Sequence, residues 1–154
     1  MTFHSSSPDQ TRRLGFRLAQ QLRPGDVLIL RGDMGAGKSE LTRGVARGLG
    51  IEGYLPSPSF TIMQMYETGR LPLYHFDWYR LESEEELYEL SMDEYLYGSG
   101  VAVVEWPSMA EDAVPETHLE LTLTPGGDDE RIIEIRPVGG FHPIDETLLL
   151  EDET

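Results

Sequence analysis

The apolar positions of this chain include two unbroken runs. They are residues 27–30 (Val-Leu-Ile-Leu) and residues 101–104 (Val-Ala-Val-Val). Runs without alternation are typical of strands that are covered on both faces, as in the parallel sheets of α/β proteins. We therefore expect both segments to be central strands of one sheet.

Apolar residues at a spacing of three or four predict two longer helices. In the first, Ser7 can cap the helix, Pro8 fits the first helical position and Gln10 completes a capping box. A core-facing stripe follows at Leu14, Leu18 and Leu22. The second helix is expected over residues 38–49 and stops at Gly50, with three inward side chains at Leu41, Val45 and Leu49.

Segments rich in β-forming residues predict two antiparallel hairpins. Residues 60–66 and 71–77 form the first, and residues 119–124 and 131–136 form the second, around a Pro-Gly-Gly-Asp turn. Short helices are expected between the first hairpin and the second apolar run, with starts at Ser83 and Ser91.

The segment between the first apolar run and its helix carries the clearest chemistry. Residues 32–39 read Gly-Asp-Met-Gly-Ala-Gly-Lys-Ser and fit G-x-x-x-x-G-K-[ST], the phosphate-binding P-loop. The glycines let backbone N–H groups curve around a phosphate, Lys38 reaches the β- and γ-phosphates, and Ser39 offers a hydroxyl to Mg²⁺. Lys38 is also the only lysine in the chain. We expect the nucleotide to contact eight consecutive residues: Asp33, Met34, Gly35, Ala36, Gly37, Lys38, Ser39 and Glu40.

Two carboxylates at strand ends are candidates for metal binding and catalysis. A nucleotide-hydrolysing P-loop protein needs an acid that holds Mg²⁺, usually at the C-terminal end of a neighbouring buried strand. Glu105 follows residues 101–104 and is favoured over Asp77, which ends residues 71–77. The alternative for either acid is a solvated strand end. Trp106 lies against the base or ribose, or else belongs to the core.

Two other side chains near these acids have simpler structural readings. Arg80 could stabilise charge on a γ-phosphate, but a surface ion pair with Glu82 or Glu84 is favoured. His75 is interpreted as a packed or solvated histidine.

Composition limits the classes of protein that remain. A length of 154 residues predicts one domain, and we place it at residues 1–138, followed by a loosely attached acidic tail over residues 139–154. The chain has no cysteine, no run near the roughly 20 apolar residues of a membrane span and no apparent signal peptide, which fits a cytoplasmic protein. The net charge of −16 argues against direct binding to nucleic acid.

The single lysine also bears on the nucleotide. Guanine-reading GTPases use an [NT]-K-x-D motif, and the only lysine already belongs to the P-loop. ATP is therefore the favoured nucleotide.

Taken together, the motifs from Thr11 to Pro107 resemble the TsaE (YjeE) family of bacterial P-loop ATPases. The shared marks are the P-loop, Arg43-Gly44, a Ser-Pro-Ser-Phe loop at residues 57–60, and two further motifs: His-Phe-Asp-Trp-Tyr-Arg-Leu from His75 and Glu-Trp-Pro from Glu105. This chain has Ser59 where threonine is usual and Trp78 where leucine is usual.

The resemblance implies a fold, a site and a role. The fold is a three-layer α/β P-loop domain with a mostly parallel central sheet and antiparallel hairpin additions. Mg²⁺ would lie at Ser39 and Glu105, Ser59 would lie near the γ-phosphate, and Asp77 would position the metal or the attacking water. The protein would hydrolyse ATP weakly alone and act with TsaD- and TsaB-type proteins in tRNA threonylcarbamoyladenosine modification, contacting tRNA only through them.

Two rival functions stay open from the residues themselves. A P-loop small-molecule kinase would need an arginine-rich lid, and no basic cluster follows Val104 until Arg131 and Arg136. A non-hydrolysing adaptor would use ATP only to shape a docking surface.

Overall fold

The structure is a computed structural model that describes residues 1–33, 35–53, 63–79, 81–83, 85–89 and 92–150. Within these residues, seven strands form one sheet: β1 (Thr2–Ser5), β2 (Val27–Arg31), β3 (Met63–Tyr66), β4 (Leu73–Asp77), β5 (Val101–Glu105), β6 (His118–Pro125) and β7 (Arg131–Val138). The helices in the same ranges are α1 (Pro8–Ala19), α2 (Lys38–Gly48), α3 (Glu85–Glu89) and α4 (Asp93–Leu96), with short 3₁₀ turns at Pro107–Met109, Glu111–Ala113 and Glu146–Leu149.

The sheet has a parallel centre and antiparallel edges. Its strand order is β1-β7-β6-β2-β5-β4-β3. The pairs β4–β5, β5–β2 and β2–β6 are parallel, whereas β3–β4, β6–β7 and β7–β1 are antiparallel. The predicted fold class is confirmed, and so are both central strands. Both hairpins form as well, although residues 60–62 of the first lie outside the described residues.

Alternate residues of β2 face two separate layers of helices. Leu28 and Leu30 pack in one core with residues of α1 and α2, while Val27 and Ile29 pack in a second core with residues of α3 and α4. This arrangement explains the unbroken apolar run, because neither face of the strand meets water. It gives the three-layer architecture expected from the sequence.

Helices α1 and α2 approach each other closely at glycines. A Cβ atom added at Gly44 would lie 2.0 Å from the Arg12 carbonyl oxygen, and one added at Gly15 would lie 2.4 Å from the Leu41 carbonyl oxygen. No side chain fits at either position, so the two helix backbones are in direct contact. The start of α2, where the P-loop ends, is therefore held against α1.

The C-terminal segment up to Leu150 differs from the loose tail expected from residue 139. Phe141 and Leu149 are buried in the core beside α1, and the Gln21 side chain exchanges two hydrogen bonds with the Asp145 backbone. The loose tail was predicted from the acidic composition of this segment, which gives little weight to the few apolar residues that anchor it. Residues 151–154 lie outside the described residues.

The described helices are all too short or too polar to cross a membrane.

Candidate nucleotide-binding site

Three neighbouring parallel strands end at one edge of the sheet and bring the predicted site residues together. β2 leads into the P-loop, Glu105 ends β5 and Asp77 ends β4. Glu105 is in register with Leu30 of β2 on one side and with Asp77 of β4 on the other. Because carboxyl ends of parallel strands share an edge, this register places both acids beside the phosphate-binding loop.

The P-loop backbone bends at glycines that take left-handed conformations. Gly35 has a φ of 82° and Gly37, which caps α2, has a φ of 99°. Other residues adopt these angles only with strain. α2 begins directly after, at Lys38, and the N–H groups of a first helical turn have no acceptors within the helix. The loop and the helix start therefore present backbone donors and a positive dipole end to one cavity.

Lys38 is a buried cation that faces this cavity. Lys38 is only 5% exposed, and its Nζ atom has no hydrogen-bond partner among the described residues. Nζ lies 3.7 Å from the centre of the Trp106 ring, a cation–π contact. Burial lowers the pKa of Lys38, an effect that the nearby charges of Glu105, Asp77 and Asp33 oppose. An anion bound in the cavity would supply the missing partner.

The two carboxylates differ in their surroundings. Burial is the largest cause that raises the pKa of Asp77, and the charge of Glu105 raises it further, while the Tyr79 N–H donates to Oδ1 at 3.0 Å and opposes the shift. Glu105 is 4% exposed and its Oε2 atom lies 2.5 Å from Nε2 of His75. His75 therefore orients Glu105 within the site.

Trp106 directly follows Glu105 and has a left-handed backbone. It is the one non-glycine residue with positive φ (59°) in the described part of the chain. Strained backbone of this kind is concentrated at functional sites, where the surroundings hold it in place. The indole packs at a tilt against the exposed ring of Tyr79, with 4.9 Å between ring centres, and it also contacts the Lys38 ammonium.

A cavity of about 380 Å³ joins these residues. The predicted residues that line it are Gly35, Gly37, Lys38, Ser39, Glu40, Asp77, Glu105 and Trp106. Asp33 is exposed and Ala36 is fully buried, and neither lines the cavity. Met34 and Ser59 were also predicted near the nucleotide, and both lie outside the described residues. Arg80, for which a surface ion pair was favoured, lies outside them as well. Glu40 is held by ion pairs with Arg12 and Arg43.

Sequence reasoning missed several parts of the site. Pro8, Thr11, Asp129 and Arg131 also line the cavity. For His75 a signal existed: it stands two residues before Asp77 on a strand, and positions i and i+2 share a face. For the other four, which are distant in sequence, only the folded arrangement shows the proximity.

The oxygen donors at this edge fit Mg²⁺. This ion prefers carboxylate and hydroxyl oxygens and usually keeps waters and substrate phosphates in its coordination sphere. Ser39, Asp77 and Glu105 supply such oxygens around the cavity. The described residues contain no group of three or more acidic or histidine side chains that could hold a metal alone, so phosphate oxygens and waters would complete the coordination.

Comparisons with known proteins agree with this arrangement. A model of the family "Threonylcarbamoyl adenosine biosynthesis protein TsaE" matches residues 5–133. The chain belongs to the TsaE family. A TsaE protein from Bacillus subtilis is 44% identical over 139 residues, which cover 90% of this chain and 87% of that protein. A TsaE protein from Treponema pallidum is 38% identical over 131 residues, 85% of this chain and 96% of that protein.

A solved structure shows the same fold. The crystal structure of Bacillus subtilis YdiB matches with a TM-score of 0.78 and 39% sequence identity, over 91% of this chain and 86% of that chain. The predicted TsaE resemblance is thus confirmed, and membership of this family implies a P-loop nucleotide-binding protein.

Proposed function

We propose that this protein binds ATP with Mg²⁺ at its P-loop and hydrolyses it in support of tRNA threonylcarbamoyladenosine modification. The observation that carries the proposal is the buried Lys38 ammonium, which has no hydrogen-bond partner in the described residues and lines the same cavity as Gly35, Gly37 and Ser39 of the P-loop. A buried ammonium without a hydrogen-bond partner is costly, and a phosphate would compensate for it. The biosynthetic role is supported by the names of the family and of its relatives.

The P-loop, the two strand-end acids and Trp106 each have a role in this proposal. The amides of the loop and of the α2 start bind the phosphates, and Lys38 contacts the β- and γ-phosphates. Ser39 and Glu105 would hold Mg²⁺, which would neutralise charge on the phosphates. Asp77 positions the metal or the attacking water, and Trp106 lies against the nucleotide.

Hydrolysis is proposed to depend on partner proteins. Among the described residues, Arg131 is the arginine that lines the cavity, and its guanidinium is already engaged by backbone carbonyls. An arginine aimed at a γ-phosphate raises hydrolysis rates by several orders of magnitude. We therefore propose low intrinsic activity and stimulation by a complex of the TsaD and TsaB type in the cytoplasm, with tRNA held by those partners.

Changing Glu105 to Gln tests whether the site hydrolyses ATP or only binds it. The substitution keeps the size of the side chain but weakens its hold on Mg²⁺. We expect ATP binding to persist and partner-stimulated hydrolysis to fall by about 100-fold or more, a loss typical of a group that acts in the transition state. Glu116→Gln, at an exposed site away from the cavity, is the control and should hydrolyse ATP like the wild type.

Two results would count against the proposal. Wild-type hydrolysis in Glu105→Gln would remove this acid from the mechanism. Loss of hydrolysis in Glu105→Gln with full support of tRNA modification would favour the adaptor, because ATP binding would then suffice.

A further inference from the structure

Arg131, the first residue of β7, forms hydrogen bonds to the backbone of the P-loop. Its Nε atom donates to the Ala36 carbonyl at 3.1 Å, and one terminal nitrogen donates to the Gly35 carbonyl at 2.9 Å. Both distances are those of ordinary N–H···O hydrogen bonds. The guanidinium thus donates hydrogen bonds to two successive carbonyls of the loop that is expected to bind the phosphates.

The other terminal nitrogen of Arg131 ties the loop to the β6–β7 turn. It donates to the carbonyls of Glu130 at 2.7 Å and Asp128 at 3.1 Å. All four hydrogen bonds go to main-chain oxygens. The side chain therefore bridges two backbone segments, and its position is fixed from both sides.

This bridge determines the orientation of two peptide groups. In a trans peptide the C=O and N–H groups point in opposite directions. With the Gly35 carbonyl on Arg131, the Ala36 N–H on the same peptide points away and donates to the Asp33 carbonyl at 3.0 Å. With the Ala36 carbonyl also on Arg131, the N–H of Gly37 is directed away from the guanidinium.

We propose that Arg131 is a positioning residue that holds the P-loop in its phosphate-binding shape before the nucleotide arrives. It does so through the forked geometry of its guanidinium, which matches two adjacent acceptors. Lysine carries the same charge but cannot reproduce this fork. The inference rests on the proposed nucleotide binding, and it requires neither ATP hydrolysis nor the role in tRNA modification.

The test compares Arg131→Lys and Arg131→Ala with Arg136→Ala, a control on the same strand. The Arg136 side chain is 73% exposed and pairs with Glu120, outside the cavity. Two quantities are measured: the Kd for ADP with Mg²⁺, and amide hydrogen exchange of the P-loop peptide in the nucleotide-free protein. Lys38→Ala serves as the reference for a disabled phosphate site.

Both Arg131 variants should bind ADP about tenfold more weakly, the size expected for lost charge-assisted hydrogen bonds. In the nucleotide-free variants, amide hydrogen exchange of the P-loop should be faster than in the wild type. If Arg131 only contacted the phosphate directly, its loss would not change this exchange rate. Arg136→Ala should match the wild type in both measurements. If Arg131→Ala does not fold, Arg131→Lys decides the question.

Wild-type affinity in the Arg131 variants, together with lost binding in Lys38→Ala, would overturn this inference and leave the nucleotide site intact. Wild-type ADP affinity in Arg131→Lys with weaker binding in Arg131→Ala would also overturn it, because the positive charge, without the forked guanidinium, would then be sufficient to hold the P-loop. Wild-type ADP binding in Lys38→Ala would instead contradict the proposed phosphate site itself.

Discussion

Two ionisable residues of the site, Lys38 at the start of α2 and Asp77 at the end of β4, show a conflict between stability and function. Lys38 is buried and its Nζ atom has no hydrogen-bond partner in the described part of the chain, and burial raises the pKa of Asp77. Burial therefore disfavours the charged form of both side chains in the protein without ligand. Such sites are common where binding requires a group that folding alone would not select.

Asp77→Asn should stabilise the nucleotide-free protein at neutral pH. Folding raises the pKa of the Asp77 carboxyl above its ordinary value of 3.8. Well below that value the group is protonated in both the folded and the unfolded state, and it has no effect on the free energy of unfolding. As the pH rises through the folded pKa, ionisation of the carboxyl lowers the free energy of unfolding. Asparagine removes that cost and can still accept the Tyr79 N–H. We expect Tm to rise by about 2 °C near pH 7, with the gain shrinking towards about pH 4.

Thermal unfolding at several pH values measures this effect, with exposed Asp112→Asn as the control. A lower Tm for Asp77→Asn at neutral pH would show that the ionised carboxylate contributes to the fold. The same variant should lose partner-stimulated ATP hydrolysis if Asp77 positions the metal or the water.

At the residue scale, the sequence predicted the side chains that follow a contiguous pattern. Lys38 and Ser39 belong to one motif, and Asp77 and Glu105 each end an apolar segment. The contact between His75 and Glu105 depends on β4 and β5 being neighbours in register, which no local pattern determines. Arg131 is distant from the loop in sequence and could be found only from the fold.

At the element scale, the position of α2 depends on its contact with α1. The helix carries the P-loop lysine and serine at its start, and Gly44 lies directly against the α1 backbone. Any separation of the two helices would move the helix start relative to Asp77 and Glu105. The α1–α2 contact is thus part of the site geometry.

Gly44→Ala should destabilise the protein although alanine is the better helix former. Helix propensity alone would favour alanine by about 1 kcal/mol. The added Cβ would lie 2.0 Å from the Arg12 carbonyl oxygen, so the helices must separate. We expect a net loss of about 2–3 kcal/mol in the free energy of unfolding, as for other overpacked contacts.

Denaturant unfolding of Gly44→Ala measures that loss. Gly126→Ala is the control, because its new Cβ would come no closer than 3.7 Å to Glu130, and it should be near neutral. Equal stability of the two variants would mean that the close helix contact contributes little.

The elements themselves were predicted well where apolar periodicity was strong, and missed where it was short. Strand β1 has only four residues, and its inward positions are Phe3 and Ser5, so no apolar alternation marks it. At the start of α1, Ser7 caps the helix as predicted, but Gln10 accepts from the Ser6 N–H, so the reciprocal bond is displaced by one residue. Phe141 and Leu149 show how few apolar residues can anchor a segment of acidic composition.

At the scale of the whole molecule, the distribution of charge favours binding of a nucleotide and disfavours binding of RNA. The net charge of −16 would repel the phosphates of tRNA. By contrast, Lys38 and the N-terminus of α2 lie together at one cavity, where they can attract a small anion. Contact with tRNA through partners therefore fits the charge of this protein better than direct binding.

The purified protein should not bind bare tRNA at physiological salt. We expect no saturable change in fluorescence anisotropy of labelled tRNA below roughly 100 μM protein, since binding to nucleic acid depends on basic contacts that release counterions. Adding a TsaD- and TsaB-type complex should restore binding. Micromolar binding by this protein alone would contradict indirect recognition.

The most direct test of the account is repeated turnover in a reconstituted tRNA-modifying reaction. A TsaD- and TsaB-type complex, with its substrates and tRNA, would be assayed with this protein, without it, and with Lys38→Ala. We predict several modified tRNA molecules per complex with the wild type, and about one or fewer in the other two reactions, because the proposed ATP hydrolysis would reset the complex between rounds. Equal turnover in all three reactions would contradict the proposed function.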